Sequence, residues 1–178
     1  MSHRPPIGVS EFRPSAIPFR DRYKVSPQFM ALFNEGMALV EETADYLDSQ
    51  GRMEARQMKP PLSIAYATES MRLTTRLTQL ASWLLLRRAV ARGEMTEEAA
   101  SRSPHRVVLV PVGRSTQTVG YDELPETLKR LVEASLKLHQ RVMRLDRILA
   151  ASAEDDSANA KSLKAQMSRL RVAYPGEG

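Results

Sequence analysis

Residues 62–93 contain the longest periodic run of apolar residues in the chain. Their spacing of three and four predicts one α-helix of about 31 residues, roughly 46 Å long. Two neighbouring stripes follow this spacing, so the apolar face is predicted to be broad enough to pack against two other helices. The first stripe contains Ser70, Leu73, Leu77, Leu80, Leu84, Arg87 and Ala91. The second stripe contains Ala67, Met71, Thr74, Thr78, Ala81 and Leu85.

Two further stretches, 27–49 and 124–151, carry the same helical spacing. Ser26 is predicted to cap the first helix, with Pro27 at its first position, and Asp122 is a candidate cap for the last. The predicted seam of the first helix contains Met30, Phe33, Met37, Val40, Ala44 and Leu47. The predicted seam of the last helix contains Leu124, Leu128, Leu131, Ser135, Leu138, Val142, Leu145 and Leu149.

The connections between these helices predict the fold and its organisation. A short polar connection from Gly51 to Pro61 favours antiparallel neighbours. The pattern predicts an all-α fold, an antiparallel three-helix bundle over residues 26–151 with helices at about 27–49, 62–92 and 124–151. A basic tail over 1–25, an irregular loop over 103–121 and a tail over 152–178 are predicted to be mobile. Residues 152–160 are predicted to be a break, followed by a possible short helix over 161–172.

Composition narrows the classes of protein. Aromatic residues make up only 6% of the chain, which favours helices over a β-sandwich. Cysteine is absent, so disulfide and thiolate chemistry are excluded, and a cytoplasmic location is expected. No uncharged apolar run reaches the 18 or so residues that a membrane span needs. The net charge of +5 admits an acidic protein, an anionic lipid surface or nucleic acid as partner.

The residues that usually carry catalysis or bind metals are scattered. The three histidines, His3, His105 and His139, fall in a tail, a loop and a helix without a metal-binding spacing. No nucleophile elbow or glycine-rich phosphate loop occurs. We therefore predict no catalytic residues, no metal, no cofactor and no enzymatic activity.

A group of charged residues near the middle of the central helix is the main candidate for a binding site. Glu69, Arg72 and Arg76 share one face, and Glu41 of the first helix is predicted to lie at a matching height. Forked arginine hydrogen bonds would suit recognition of a partner. The alternative is a solvated face with weak pairs of neighbouring charges. Trp83 is a candidate partner contact, although packing in or beside the core is the favoured interpretation.

Three segments resemble a known family. They are MALVEETADYLD (37–48), AYATESMRLTTRLTQLASWLLLRRAVARGEMT (65–96) and LPETLKRLVEASLKLHQRVMRLDRIL (124–149). Together they resemble the alphaproteobacterial regulator of CtrA degradation, the RcdA family. The order Glu-Ser-Met-Arg-Leu-Thr-Thr-Arg-Leu before Ala-Ser-Trp-Leu-Leu is its most specific part.

The resemblance implies a dimeric three-helix bundle that acts as a non-enzymatic adaptor for the ClpXP protease. Such an adaptor docks on protease already primed by a response-regulator-type protein. It delivers cell-cycle regulators directly or through a second adaptor that binds cyclic-di-GMP, and a position at a cell pole follows. Leftover apolar surface on a bundle also favours a homodimer.

Two other classes of function stay open from the residues alone. A basic regulator of nucleic acid would use Arg102, His105, Arg106 and Arg114 with the N-terminal arginines, although no recognition-helix signature is present. A purely structural dimerisation module would associate with itself and with no other partner.

Overall fold

The computed structural model describes residues 26–101, 109 and 120–173, and all its elements in these ranges are helical. They are α1 (Pro27–Asp48), α2 (Gln50–Gln57), α3 (Leu62–Ala91), α4 (Glu97–Ser101), a 3₁₀ helix (Tyr121–Glu123) and α5 (Glu126–Ala173). The predicted all-α fold is confirmed. Within the described ranges, no helix is both long enough and apolar enough to cross a bilayer.

The helix ends show why these residues stop and start helices. The Ser26 hydroxyl accepts a hydrogen bond from the Phe29 N–H at 3.1 Å, and Pro27 occupies the first helical position, as predicted. Thr96 accepts in the same way from the Ala99 N–H at the start of α4. Gly93 follows α3 with φ of +73°, the left-handed geometry that glycine adopts most readily.

Helix α1 runs antiparallel to both of the other long helices. The Arg88 guanidinium near the end of α3 lies 4.6 Å from the Phe33 ring near the start of α1. Between α1 and α5, Glu35 pairs with Arg141 and Glu42 pairs with Arg130. Since the partner's number falls as the α1 number rises, the helices have opposite directions.

Helices α3 and α5 run parallel to each other. Arg76 bonds to Ser135, and Trp83 bonds to Asp146, so the two numbers rise together. The long connection after α3 makes this possible because it returns the chain to the beginning of α3, where the 3₁₀ helix contacts it. The predicted antiparallel arrangement therefore holds for two of the three helix pairs.

The core follows the predicted seam of α5 completely. Its eight residues from Leu124 to Leu149 are all buried, with exposures of 0–7%. In α1 the predicted seam is displaced by about one residue, so that Met30 is 40% exposed. The buried residues of α1 are instead Phe29, Leu32, Phe33, Gly36, Leu39, Thr43 and Tyr46. This face contains a glycine, a threonine and a tyrosine, so a pattern based on aliphatic residues does not predict it.

Three local predictions were wrong. The connection after α1 contains a further helix, α2, fixed by a 2.8 Å hydrogen bond from the Tyr46 hydroxyl to Glu54. Residues 152–160 continue α5 without a break, because they are polar but include several alanines and no glycine or proline. Asp122 belongs to the 3₁₀ helix, and α5 begins after Pro125.

Several predictions concern residues outside the described ranges. These are the tail over 1–25, the end of the chain beyond 173, and the loop over 103–121 apart from Leu109, Gly120 and Tyr121. The nucleic-acid hypothesis concerns four such residues, since all of them lie outside the described ranges: Arg102, His105, Arg106 and Arg114.

Gly36 lies where α1 packs tightly against Leu84 of α3, and it provides a test of this packing. A Cβ atom at this position would overlap Leu84 Cδ1 and come within 3.6 Å of Leu138. We expect Gly36→Ala to lower the free energy of unfolding by about 1–3 kcal/mol, because added volume in a packed core forces its neighbours to move. Urea denaturation measures this change.

The exposed residue Asn34 on the same helix is the matched control for this test. Asn34→Ala gains helix propensity without entering the core, so a small stabilisation is expected. A stabilisation of similar size from Gly36→Ala would show that Leu84 moves aside freely and that the close approach imposes no constraint.

Candidate docking surface

Arg76, predicted to face a partner, lies inside the bundle with 0% of its surface exposed. Its Nη1 donates a hydrogen bond to Ser135 Oγ at 2.6 Å, and Ser135 donates in turn to the Val132 carbonyl at 2.7 Å. Burial lowers the pKa of Arg76, and attraction to the Glu69 carboxylate opposes that shift. The cation therefore holds α3 to α5 and is inaccessible to a partner in this conformation.

The other members of the predicted group are only partly brought together. Glu69 is 2% exposed and accepts a hydrogen bond from Arg72 Nη1 at 2.7 Å. The Arg72 side chain is 35% exposed and lies over the edge of the buried site. Glu41 lies on the exposed side of α1. These side chains therefore do not form one surface patch in the structure, since two of them, Glu69 and Arg76, are interior.

Trp83 is a core residue, in agreement with the favoured interpretation of the sequence. Only 1% of its surface is exposed, and its Nε1 donates to Asp146 at 2.8 Å. The Arg87 guanidinium lies 5.4 Å from the ring centre and also bridges Asp146 and Glu97. These contacts fasten α4 and α5 to the end of α3, so Trp83 offers no side-chain surface to a partner.

The accessible side of α3 is an uncharged surface. From Ile64 to Leu85, roughly 32 Å of helix, the most exposed side chains are apolar or carry a hydroxyl, and the partly exposed Arg72 lies beside them. Met71 is 72% exposed, Ile64 63% and Leu85 49%. This surface, called the uncharged face below, consists of Ile64, Ala67, Met71, Thr74, Thr75, Thr78, Ser82 and Leu85.

The hydroxyl groups of the uncharged face are already hydrogen-bonded. Thr74, Thr75, Thr78 and Ser82 each donate to the carbonyl four residues earlier, at 2.8–2.9 Å. Side chains bonded in this way need fewer partners from water or another protein. Covering the face with an apolar surface would therefore cost less than covering an equal number of free hydroxyl donors.

Cations at the two borders of the uncharged face are held by contacts within the bundle. Arg72 pairs with Glu69, and Arg88 stacks over the Phe33 ring at 4.6 Å. The centre of the uncharged face is therefore apolar, whereas its two borders carry charged side chains that are in contact with water. This combination of an apolar centre and a polar border is typical of protein–protein interfaces.

Most residues of the uncharged face belong to the second stripe that the sequence pattern predicts, but the pattern predicts that stripe as part of the core. Ala67, Met71, Thr74, Thr78, Ala81 and Leu85 were predicted as a second inward stripe, and of these only Ala81 is partly covered. The second inward stripe is instead Glu69, Arg76, Trp83 and Val90. Hydropathy does not predict this stripe, because it assigns charged residues such as Glu69 and Arg76 to the surface even when they are paired and buried.

The described residues hold no group of three or more histidines, aspartates or glutamates placed to bind a metal ion. One sizeable groove, about 640 Å³, lies at the opposite end of the bundle from α4. It is lined by the end of α2, the α2–α3 connection and the segment just before α5, including Glu54, Met58, Leu62 and Glu123. The residues that line this groove do not form a recognisable catalytic arrangement.

Comparison with known proteins places the chain in a family. The model of a family described as a protein of unknown function (DUF1465) matches residues 21–174. The crystal structure of RcdA from Caulobacter crescentus CB15 is 44% identical in sequence, with a TM-score of 0.59. The match covers 72% of this chain and 96% of that chain. No curated protein sequence matches. The resemblance to RcdA drawn from the sequence is thereby confirmed.

Arg76 and Thr75 are neighbours in sequence with opposite environments, and they provide a matched test. Arg76→Glu would bury a carboxylate beside Glu69 and Ser135, so we expect a loss of more than about 3 kcal/mol of stability. Thr75→Glu places the same side chain on the exposed face, and its effect should stay within about 0.5 kcal/mol. Thermal melts followed by circular dichroism compare the two variants. Equal melting temperatures would contradict the buried position of Arg76.

Proposed function

We propose that this chain, which belongs to the RcdA-like DUF1465 family, is a non-enzymatic adaptor that helps deliver cell-cycle regulatory proteins to the ClpXP protease. The observation that carries the proposal is its similarity to RcdA, which extends over 96% of that protein's chain. An adaptor needs binding surfaces rather than reacting groups, and the exposed apolar side chains of α3 offer one such surface.

The uncharged face supports the proposal as the docking surface for the primed protease. It is carried by α3, a helix of 30 residues that packs against both α1 and α5, so its side chains are presented at fixed spacing and little ordering is needed on binding. A face without charges has few features that would distinguish one cargo from another, since charge patterns provide much of the specificity between proteins. We therefore assign it to the constant partner, ClpXP primed by a response-regulator-type protein.

Delivery of cargo would use other surfaces of the same molecule. The exposed charged side of α1, which includes Glu41, is the part of the originally predicted patch that stays available. Cargo would bind there directly or through a second adaptor that binds cyclic-di-GMP. The adaptor would then gather where the primed protease gathers, and we propose a cell pole as that position.

A reconstituted degradation assay tests this function. Purified ClpXP, its primer and a cell-cycle substrate are followed by gel with and without this protein. We expect faster loss of substrate that depends on the primer. Met71→Glu should reduce the stimulation at least tenfold, because it places a charge at the most exposed apolar position of the uncharged face. Its melting temperature should stay near that of the wild type.

Gln140→Glu is the matched control, since it adds the same charge at an exposed position of α5. It should leave stimulation unchanged. Stimulation that survives Met71→Glu would remove the uncharged face as the docking surface. No stimulation of any substrate by folded wild-type protein would count against the adaptor function itself.

A further inference from the structure

The outer side of α5 carries exposed charges of one sign over about three turns. From Lys137 to Arg147, roughly 15 Å of helix, every exposed charged side chain is a cation. Asp146, the acid of this stretch, is only partly exposed and is engaged by Trp83 and Arg87. Surfaces that only keep a protein in solution usually mix both signs, so this segregation suits a binding surface. The four cations, called the basic face below, are Lys137, Arg141, Arg144 and Arg147.

The spacing of the basic face brings like charges together. Its four cations follow one another at steps of four, three and three residues. Side chains at these steps are neighbours on a helix, so like charges there weaken the helix slightly. Among the described residues, no ion pair involves Lys137, Arg144 or Arg147. Carboxylates from outside the bundle would remove this repulsion.

One border of the basic face already receives carboxylates from a packed helix. Arg141 Nη1 donates to both carboxylate oxygens of Glu35 on α1, at 2.6 and 2.7 Å. Arg130, earlier on α5, pairs with Glu42. Glutamates seven residues apart on an antiparallel helix thus reach arginines of α5. Helix α1 contains several acids but no lysine or arginine, so it shows which kind of helix the outer side of α5 accepts.

The other border of the basic face is apolar. Leu136 and Met143 are seven residues apart, and both are only partly buried against the core. On a helical projection they lie next to Arg147 and away from the side that contacts α1. Ile148, one turn beyond Arg144, is 41% exposed. A partner with carboxylates on one edge and apolar side chains on the other would complement both features.

We propose that the basic face and its apolar border bind an acidic amphipathic helix of a partner protein. This helix packs on the open side of α5 as α1 packs on the other side. It places carboxylates against Lys137 and Arg144 and apolar side chains against Leu136 and Met143, in the manner of helices that bind through anchors three, four and seven residues apart. The proposal does not depend on the adaptor function, because the surface, the partner and the measurement are all different.

Nucleic acid fits the same surface less well. A duplex carries about one negative charge per 1.7 Å of its length, and its phosphates would leave Leu136 and Met143 uncovered. Glu35 and Glu42 border the basic face on the α1 side, where a wide duplex would bring phosphates against carboxylates. A single helix, about 10–12 Å across with its side chains, can contact the cations alone.

Fluorescence anisotropy with the full chain tests the proposal. The acidic probe is a labelled, alanine-based helix of about three heptads, with glutamates seven residues apart and a leucine beside each. A glutamine probe replaces every glutamate by glutamine. We expect the acidic probe to bind at least tenfold more tightly than the glutamine probe, and its dissociation constant to rise with salt. A third probe with serine in place of leucine should bind at least threefold more weakly than the acidic probe, because the apolar border then stays uncovered.

Charge reversal locates the binding surface on the protein. Lys137→Glu with Arg144→Glu should raise the dissociation constant of the acidic probe at least tenfold. The matched control, Lys161→Glu with Lys164→Glu, makes the same change in net charge at exposed positions nearer the end of α5. It should raise the dissociation constant less than threefold. Both variants should melt near the wild type, since all four side chains are exposed.

Other results would overturn the proposal. Equal affinity for the acidic and glutamine probes would do so. Equal losses in the two variants would do so as well, because binding would then follow net charge rather than this face. If Lys137→Glu with Arg144→Glu weakened duplex DNA binding tenfold but left the acidic probe unaffected, the face would belong to nucleic acid. If this variant lowered the mass in sedimentation equilibrium without affecting the probe, the face would belong to a second copy of the chain.

Discussion

The fold depends on how one buried cation is accommodated. Arg76 has no exposed surface, and its guanidinium is bonded to Ser135 on α5 and attracted by Glu69 on its own helix. Removing a charge from water is costly, so these partners are needed once the residue is inside. Because the bond joins particular positions, it favours the register in which Arg76 lies opposite Ser135.

The same constraint determines which side of α3 faces outward. Glu69, Arg76 and Trp83 recur at intervals of seven and point inward, and α5 provides polar partners for Arg76 and Trp83. The helix is thereby oriented with three of its threonines, Ser82 and three large apolar residues towards solvent. A surface that hydropathy would assign to the interior is exposed because the interior needs the polar stripe. The accessible face and the buried network are therefore two results of one orientation.

Sequence patterns predicted the parts of this molecule that obey simple hydropathy. The α5 seam, with leucine or valine at seven of its eight positions, was predicted completely, and Ser26 marked the start of α1 by local chemistry. The α1 seam was displaced because Gly36 and Thr43 are buried there. The candidate patch assumes that Arg76 and Glu69 are at the surface, whereas both are charged yet interior. Burial of a charge depends on a partner far away in sequence, which local spacing does not reveal.

The parallel arrangement of α3 and α5 also has a consequence for the order of folding. Contacts between α1 and α3 close a hairpin, whereas Arg76 meets Ser135 across 59 positions of chain. Local contacts form sooner because less chain entropy is lost before they are made. On a ribosome the hairpin is synthesised well before α5. Arg76, Glu69 and Ser70 then face water instead of a continuous apolar strip, so the half-made protein stays less prone to aggregate while it waits for its last helix.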